Sequence, residues 1–250
     1  MESLPDPVPT NEQYLIAIHA SATNFFDLLQ IRGKYQLQPP LPWIAGFEFS
    51  GVVLQVPGKL PGNKQPKFKV GDKVFGASQG AYATKTTATE ESLRPIPNGW
   101  AYMDAAGLFV TAPTSYAALV TRAGIKKGMI RSNSCTPIGS LTSYLLGDYV
   151  LVHAAAGGVG LAAVQIAKAF GATVIATAGT KHKLDVARSF GADHAVDYKQ
   201  KNWTDEVKKL TPRGKGVDIV YDPVGKISES MKCKCLPTAA STRAEFSLQA

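Results

Sequence analysis

Apolar residues fall into short runs that alternate with amphipathic stretches through the second half of the chain. Val150-Leu-Val152 is an apolar run that breaks at Ala155-Ala156-Gly157-Gly158-Val159-Gly160. It resumes as Leu161-Ala-Ala-Val-Gln-Ile-Ala-Lys-Ala-Phe170. That order predicts a buried strand, a tight turn and an amphipathic helix. Residues 173–178 predict a second strand, followed by a helix that runs to Phe190 and is capped by Gly191. Residues 194–198 predict a short third strand, 204–210 a polar helix, and 217–221 a fourth strand ending in Asp222-Pro-Val-Gly225. Strands alternating with helices predict an α/β fold, a doubly wound parallel sheet with right-handed crossovers. In the order 3-2-1-4 the first and fourth strands are neighbours, so the loops at Gly157 and Val224 are expected to face one crevice.

The glycine turn carries the first chemistry. Gly157 lets backbone approach a phosphate without a Cβ in the way, and Gly160 lets the helix pack closely on the strand. The helix N-terminus then offers N–H groups and partial positive charge to a dinucleotide pyrophosphate. Ala155 replaces the first glycine of the usual G-x-G-x-x-G, so the strand–turn–helix context carries the assignment rather than the bare motif. The end of the second strand sets the cofactor. An Asp or Glu there would hold a ribose 2′-hydroxyl, whereas this chain has Ala178-Gly179-Thr180-Lys181-His182-Lys183. A hydroxyl and two lysines attract a 2′-phosphate, which predicts NADP(H) over NAD(H). The alternative is that Lys181 and Lys183 form the solvated first turn of a helix.

Together with Gly179-Thr180, Lys183, Asp197-Tyr198 and Val220-Tyr-Asp-Pro-Val-Gly225, the stretch His153-Ala-Ala-Ala-Gly-Gly-Val-Gly160 resembles the zeta-crystallin-type quinone oxidoreductases. These are zinc-independent members of the medium-chain dehydrogenase/reductase superfamily. Asn24-Phe-Phe-Asp27, Arg32-Gly-Lys-Tyr35, Gly46-Phe-Glu-Phe-Ser-Gly51, Phe68-Lys-Val-Gly-Asp-Lys-Val-Phe-Gly76 and Gly80-Ala-Tyr-Ala83 extend the resemblance, which covers residues 5–128 and 148–225. It implies a GroES-like β-rich catalytic domain over 1–128 and a partial NADP-binding Rossmann domain over 148–225. An atypical insertion at 129–147 and a divergent tail at 226–250 complete the chain. It also implies NADPH-dependent hydride transfer to a quinone or other electron-poor enone, in an enzyme that is usually a homodimer or homotetramer. Asn24, Asp27 and Tyr35 are the implied catalytic residues. Asn24 would bind the substrate carbonyl or the cofactor, and Tyr35 would cap the cleft or donate a proton. Phe25, Phe26 and Thr114 would line the nicotinamide side. Ala156, Gly157, Gly158, Val159 and Gly160 would hold the pyrophosphate. Gly179, Thr180, Lys183 and Tyr198 would take the 2′-phosphate, and Val224 would contact the cofactor. Three alternatives stand beside this: an enoyl-thioester reductase, an inactive truncated cofactor-binding remnant, and an RNA-binding zeta-crystallin-like protein.

Zinc-dependent relatives carry Cys where Asn24 stands and His where Phe47 stands. A catalytic zinc needs about three Cys, His or carboxylate ligands. Glu48 alone does not make such a site, and Cys135, Cys233 and Cys235 do not make a four-cysteine lobe, so no metal is expected. Without one, the enzyme acts by aligning a hydride donor with its acceptor. Each residue also has a structural role to play. Asn24 and Asp27 are placed to cap a helix, Tyr35 to cover a core edge, and His153 to be a satisfied buried imidazole. Glu48 is expected to make a structural ion pair or hydrogen bond, and Asp222 to serve the Pro223 turn.

A net charge of +8 raises the question of nucleic acid. The lysines are scattered over 59–73, 199–215 and 226–234 without interleaved aromatics, so they suit an anionic cofactor better. No run of about 18 apolar residues predicts a membrane span. Residues 1–9 lack signal or transit features, and three cysteines without framework spacing fit a reducing compartment. A cytoplasmic protein is expected, with mitochondria the alternative. Three departures from the family pattern remain. Excising 129–147 joins Lys126-Lys127-Gly128 to Asp148-Tyr149-Val150 without a seam. The segment therefore reads as a retained non-coding stretch, a splice variant or a lid-like loop. After Cys233 no apolar strand is legible, so strands five and six, including the usual dimer edge, are expected to be missing. Residues 13–20 read as an internal strand, with the opening hairpin expected to be absent.

Overall fold

The computed structural model describes residues 4–126, 147–225, 235 and 245–247. They belong to two units that divide between Thr111 and Ala112. Of the interposed segment 129–147, only Gly147 lies within the described residues. Of the tail 226–250, only Cys235 and 245–247 do.

The first unit is built on β1 (Gln13–Ala22), β2 (Glu48–Gln55), β3 (Lys73–Ala77), β4 (Lys85–Thr89) and β5 (Leu93–Pro95). They form an antiparallel sheet in the order β4-β1-β2-β3-β5. Alternate positions point inward, as a sheet with one covered face requires. Tyr14, Ile16, Phe49, Val53, Val74 and Leu93 meet Phe68 in its core. At Gly51 a Cβ would overlap the Ala17 carbonyl oxygen on the neighbouring strand, so glycine lets the two backbones close up there. Two short helices accompany the sheet, α1 (Phe25–Ile31) and α2 (Tyr102–Ala106). A third, α3 (Thr111–Tyr116), starts at the unit boundary and widens into π-helix over Ala117–Arg122.

The second unit is the predicted alternation. β6 (Tyr149–Val152), β7 (Thr173–Ala178), β8 (His194–Asp197) and β9 (Ile219–Asp222) are parallel, linked through α4 (Gly158–Ala169), α5 (Lys181–Ser189) and α6 (Trp203–Lys209). The strand order β8-β7-β6-β9 is the expected 3-2-1-4. Both faces are covered, which is why the strands read as continuous apolar runs rather than alternating ones. Val150 and Val152 pack with Val164 and Ala167 of α4 and Ala187 of α5. Leu151 and Ile175 pack on the opposite side with Trp203 and Val207 of α6.

One expectation is corrected. A fifth strand is present: β10 (Glu245–Ser247) pairs parallel with β9, with Glu245 opposite Val220 and Ser247 opposite Asp222. Its three residues contain a single apolar one, so no hydrophobic run announces it. An open sheet edge binds extended backbone through main-chain bonds alone. Among the described residues, no helix is long and apolar enough to cross a membrane.

Candidate functional site

In the second unit the residues expected to hold a dinucleotide gather at the carboxyl ends of the parallel strands. After β6 the chain turns at Ala154, whose φ of 49° is left-handed for a residue with a side chain. The Gly157 N–H returns to the Ala154 carbonyl at 2.9 Å. Gly157 then sits as the N-cap of α4, and the Leu161 N–H reaches the Gly157 carbonyl at 2.8 Å. The N–H groups of Gly158, Val159 and Gly160 precede that first intrahelical bond. The two outer glycines do different jobs. A Cβ on Gly160 would overlap the Ala154 carbonyl oxygen and lie 2.7 Å from Ala155 Cα, so the helix could not seat on the strand end. A Cβ on Gly157 would meet only the Ala154 oxygen, at 3.4 Å, on an exposed surface where a phosphate has room. Ala156 is half-buried beside it.

Ser115, on the helix that carries Thr114, donates to the Val159 carbonyl at 2.8 Å and lies 3.1 Å from the Tyr221 hydroxyl. It ties Thr114's helix to the first turn of α4. Val152 and Tyr221 are register partners, so the loop holding Val224 leaves the sheet beside the glycine turn. Asp222 shapes that loop by accepting the Val224 and Gly225 N–H groups, each at 3.0 Å, as its turn role required. His153 is buried, as expected of it, and its Nδ1 lies 2.6 Å from the Thr177 hydroxyl.

At the end of β7, Thr180 caps α5, its hydroxyl 3.4 Å from the Lys183 N–H. Gly179 is buried because Tyr198 lies over it. A Cβ there would come 2.8 Å from the Tyr198 hydroxyl and 3.1 Å from Cε of Lys199. Gly179 and Tyr198 thus meet with Lys199 beside them, and Lys183 is tied to Thr180 through its main-chain N–H. Lys199 escaped sequence reasoning because it is one lysine in a scattered basic stretch.

In the first unit, Asn24 caps α1 and Asp27 Oδ2 accepts the Asn24 N–H at 2.7 Å. The same oxygen accepts the Tyr82 hydroxyl at 2.7 Å. Asn24 Nδ2 donates to Glu48 Oε2 at 2.9 Å, and Glu48 Oε1 accepts the Val110 N–H at 2.8 Å. Glu48 is completely buried, which raises its pKa against the lowering effect of those donors. Tyr82 is likewise raised, first by burial and then by its bond to the Asp27 carboxylate. The motif Gly46-Phe47-Glu48 now has a physical basis. Gly46 has φ of 88°, and a Cβ on it would lie 2.6 Å from Tyr82 Cγ, so the phenol ring fills the place of that side chain. Tyr82 was the residue sequence reasoning missed, although Gly80-Ala-Tyr82 had carried the family resemblance.

Phe26 packs between Tyr35 at 5.5 Å and Phe47 at 5.6 Å between ring centroids. Tyr35 therefore covers an aromatic edge and does not join the Asn24–Asp27 group. Phe25 is 74% exposed, apart from that aromatic cluster. Among the described residues, no three His, Cys, Asp or Glu side chains converge as metal ligands.

Comparison with known proteins places these features. The family "Alcohol dehydrogenase GroES-like domain" matches residues 10–121, and "Zinc-binding dehydrogenase" matches residues 158–238. The human quinone oxidoreductase is 31% identical over 226 residues, covering 90% of this chain and 61% of that protein. The chain therefore spans about three fifths of the length of the curated relatives it matches. Escherichia coli quinone oxidoreductase, solved in complex with NADPH, has a TM-score of 0.76 and 30% identity, over 94% of this chain and 65% of that one. A solved NAD-dependent alcohol dehydrogenase has a TM-score of 0.78 and 31% identity, over 94% of this chain and 70% of that one.

Proposed function

The chain belongs to the quinone oxidoreductase family of medium-chain dehydrogenases/reductases, and we propose that it passes a hydride from NADPH to a quinone or another electron-poor enone without a metal. The observation that carries the cofactor choice is the cluster at the end of β7. Gly179 yields its side-chain space to Tyr198 with Lys199 beside it, and Thr180 and Lys183 open α5 directly after it, where an acid would have turned a 2′-phosphate away. The glycine turn and the first N–H groups of α4 suit a pyrophosphate. The nicotinamide, when bound, supplies the hydride; the chain's residues bind, orient and exclude water.

Zinc does not fit these residues. Asn24 commits its amide nitrogen to Glu48, the Phe47 ring packs edge-on against Phe26, and among the described residues Glu48 and Asp27 are the carboxylates bound to that group. A catalytic zinc takes about three Cys, His or carboxylate ligands around an open position.

The test is a fluorescence titration with NADPH and NADH, followed by NADPH oxidation with a small quinone, an enone and an enoyl thioester. Lys183→Ala is expected to weaken NADPH about ten- to a hundredfold, the worth of a charge-assisted bond, and to leave NADH nearly unchanged. Equal losses for the two dinucleotides would defeat the 2′-phosphate assignment. Absence of any binding would defeat the function, binding without oxidation would identify an inactive remnant, and preference for the thioester would make the chain an enoyl reductase.

A further inference from the structure

Building on the function proposed above, we infer that Tyr221 and Ser115 are positioning residues that polarise the peptide joining Val159 to Gly160. They strengthen the Gly160 N–H as a donor to the pyrophosphate of a bound dinucleotide, and they act through that peptide without touching the ligand.

The direction of the chain follows from what each atom can do. All four residues lie in the second unit. Ala118 and Leu119, three and four positions beyond Ser115, pack in the same core as Val152, Val164 and Tyr221. Ser115 itself is fully buried. Its Oγ lies 2.8 Å from the Val159 carbonyl oxygen, which can only accept, so the one hydroxyl proton of Ser115 is committed there. The Tyr221 hydroxyl stands 3.1 Å from the same Oγ and is therefore the donor of that pair. Burial, opposed by the bond to Ser115, pushes Tyr221 up to about 12, so the phenol keeps its proton through the neutral range. Donation runs one way, from Tyr221 through Ser115 to Val159.

The chain ends on a peptide group. The Val159 carbonyl and the Gly160 N–H belong to one planar, conjugated unit, so a donor on the oxygen leaves the nitrogen's proton more positive. Within an α-helix that carbonyl also accepts from the residue four positions on, and its second lone pair serves Ser115. The first main-chain bond of α4 belongs to Leu161, and the Gly160 N–H has no acceptor among the described residues. Gly160 is nonetheless buried, seated against Ala154 and Ala155. A buried main-chain donor without a protein partner is rare, and an anion at the glycine turn supplies the missing acceptor.

Calorimetry and amide NMR on the full chain test this relay. The probes are NADPH and adenosine 2′-monophosphate, which keeps the adenosine and the 2′-phosphate but has no pyrophosphate. Ser115→Ala is expected to weaken NADPH about threefold, a fraction of one charge-assisted bond, and to leave the nucleotide unchanged. In the unliganded protein the Gly160 amide resonance should move upfield while that of Gly179 stays in place. Tyr221→Phe removes a hydroxyl and keeps the ring, and it should produce the same changes to a smaller extent. A chain in series makes a further demand: Tyr221→Phe should add nothing in the Ser115→Ala background. Two separate packing defects would instead add, and would weaken both ligands together. That pattern, or a Gly160 resonance unmoved in Tyr221→Phe, overturns the inference while leaving NADPH binding and the proposed function standing. A parent protein that does not bind NADPH removes the function and, with it, the ligand assigned to the Gly160 N–H.

Discussion

At the scale of single residues, polar bonds in the first unit join side chains far apart in the chain. Tyr14 is fully buried on β1 and donates to Glu90 Oε2 at 2.7 Å; the same oxygen accepts the Lys67 N–H at 2.7 Å. The Lys67 N–H, and after it the Tyr14 hydroxyl, hold the Glu90 carboxyl below its ordinary range. Burial first, then the bond to Glu90, pushes Tyr14 up to about 12. The signs are opposite. Glu90, depressed in the folded state, contributes stability that is present above its ordinary pKa of about 4.3 and is lost as pH falls through the lower folded value. Tyr14, raised in the folded state, contributes stability that is complete below about 10 and is lost as pH rises through about 12. Urea unfolding across pH should therefore show both limbs. Tyr14→Phe should lower the plateau by about 1–2 kcal/mol and shrink both limbs; unchanged limbs would show that the pair does not hold the fold. The sequence shows why such pairs resist reading. Asn24 and Asp27 are three apart and read at once as a cap. Tyr82 reaches Asp27 across 55 positions, and no local period connects them.

At the scale of elements, the βαβ units were legible because their signals are local. β7 matches its expected span residue for residue, since its apolar run is bounded by Gly171 and Gly179. α5 was legible from Lys181 and Lys183 as a first turn and from Gly191, at φ of 108°, at its end, whereas the capping by Thr180 is seen only in the structure. β10 was not, because its partner is an edge and its sequence need not be apolar. The glycine turn permits a test that separates fold from ligand. Gly160→Ala places a Cβ on the Ala154 carbonyl and against Ala155 Cα, both backbone atoms that move only if α4 shifts. It should cost about 1–3 kcal/mol of stability by overpacking and weaken NADPH as well. Gly157→Ala meets one oxygen at 3.4 Å and should leave the melting temperature nearly unchanged while still weakening NADPH, since the new methyl stands where the phosphate approaches. Equal melting temperatures for the two variants would contradict the packing role given to Gly160. Undiminished NADPH affinity in Gly157→Ala would contradict the phosphate role given to the turn.

At the scale of the whole molecule, the charge balance was legible from composition, and its purpose can be decided by salt. The chain carries 27 lysines and arginines against 19 acids, a net charge of +8. Lys181, Lys183 and Lys199 stand exposed at or beside the proposed 2′-phosphate group. Attraction between an anionic dinucleotide and solvent-facing lysines is screened over a Debye length of about 10 Å at 0.1 M salt and about 3 Å at 1 M. The dissociation constant of NADPH should thus rise with sodium chloride, and more steeply than that of NADH, which lacks the 2′-phosphate. Lys183→Ala should flatten the NADPH slope toward the NADH slope, because the charge removed is one that salt would have screened. A general basic surface behaves differently: it would give both dinucleotides the same slope, and removing one lysine among 27 basic residues would hardly change it. Parallel slopes, unaltered by Lys183→Ala, would return the lysines at the end of β7 to the solvated helix turn that was their alternative role.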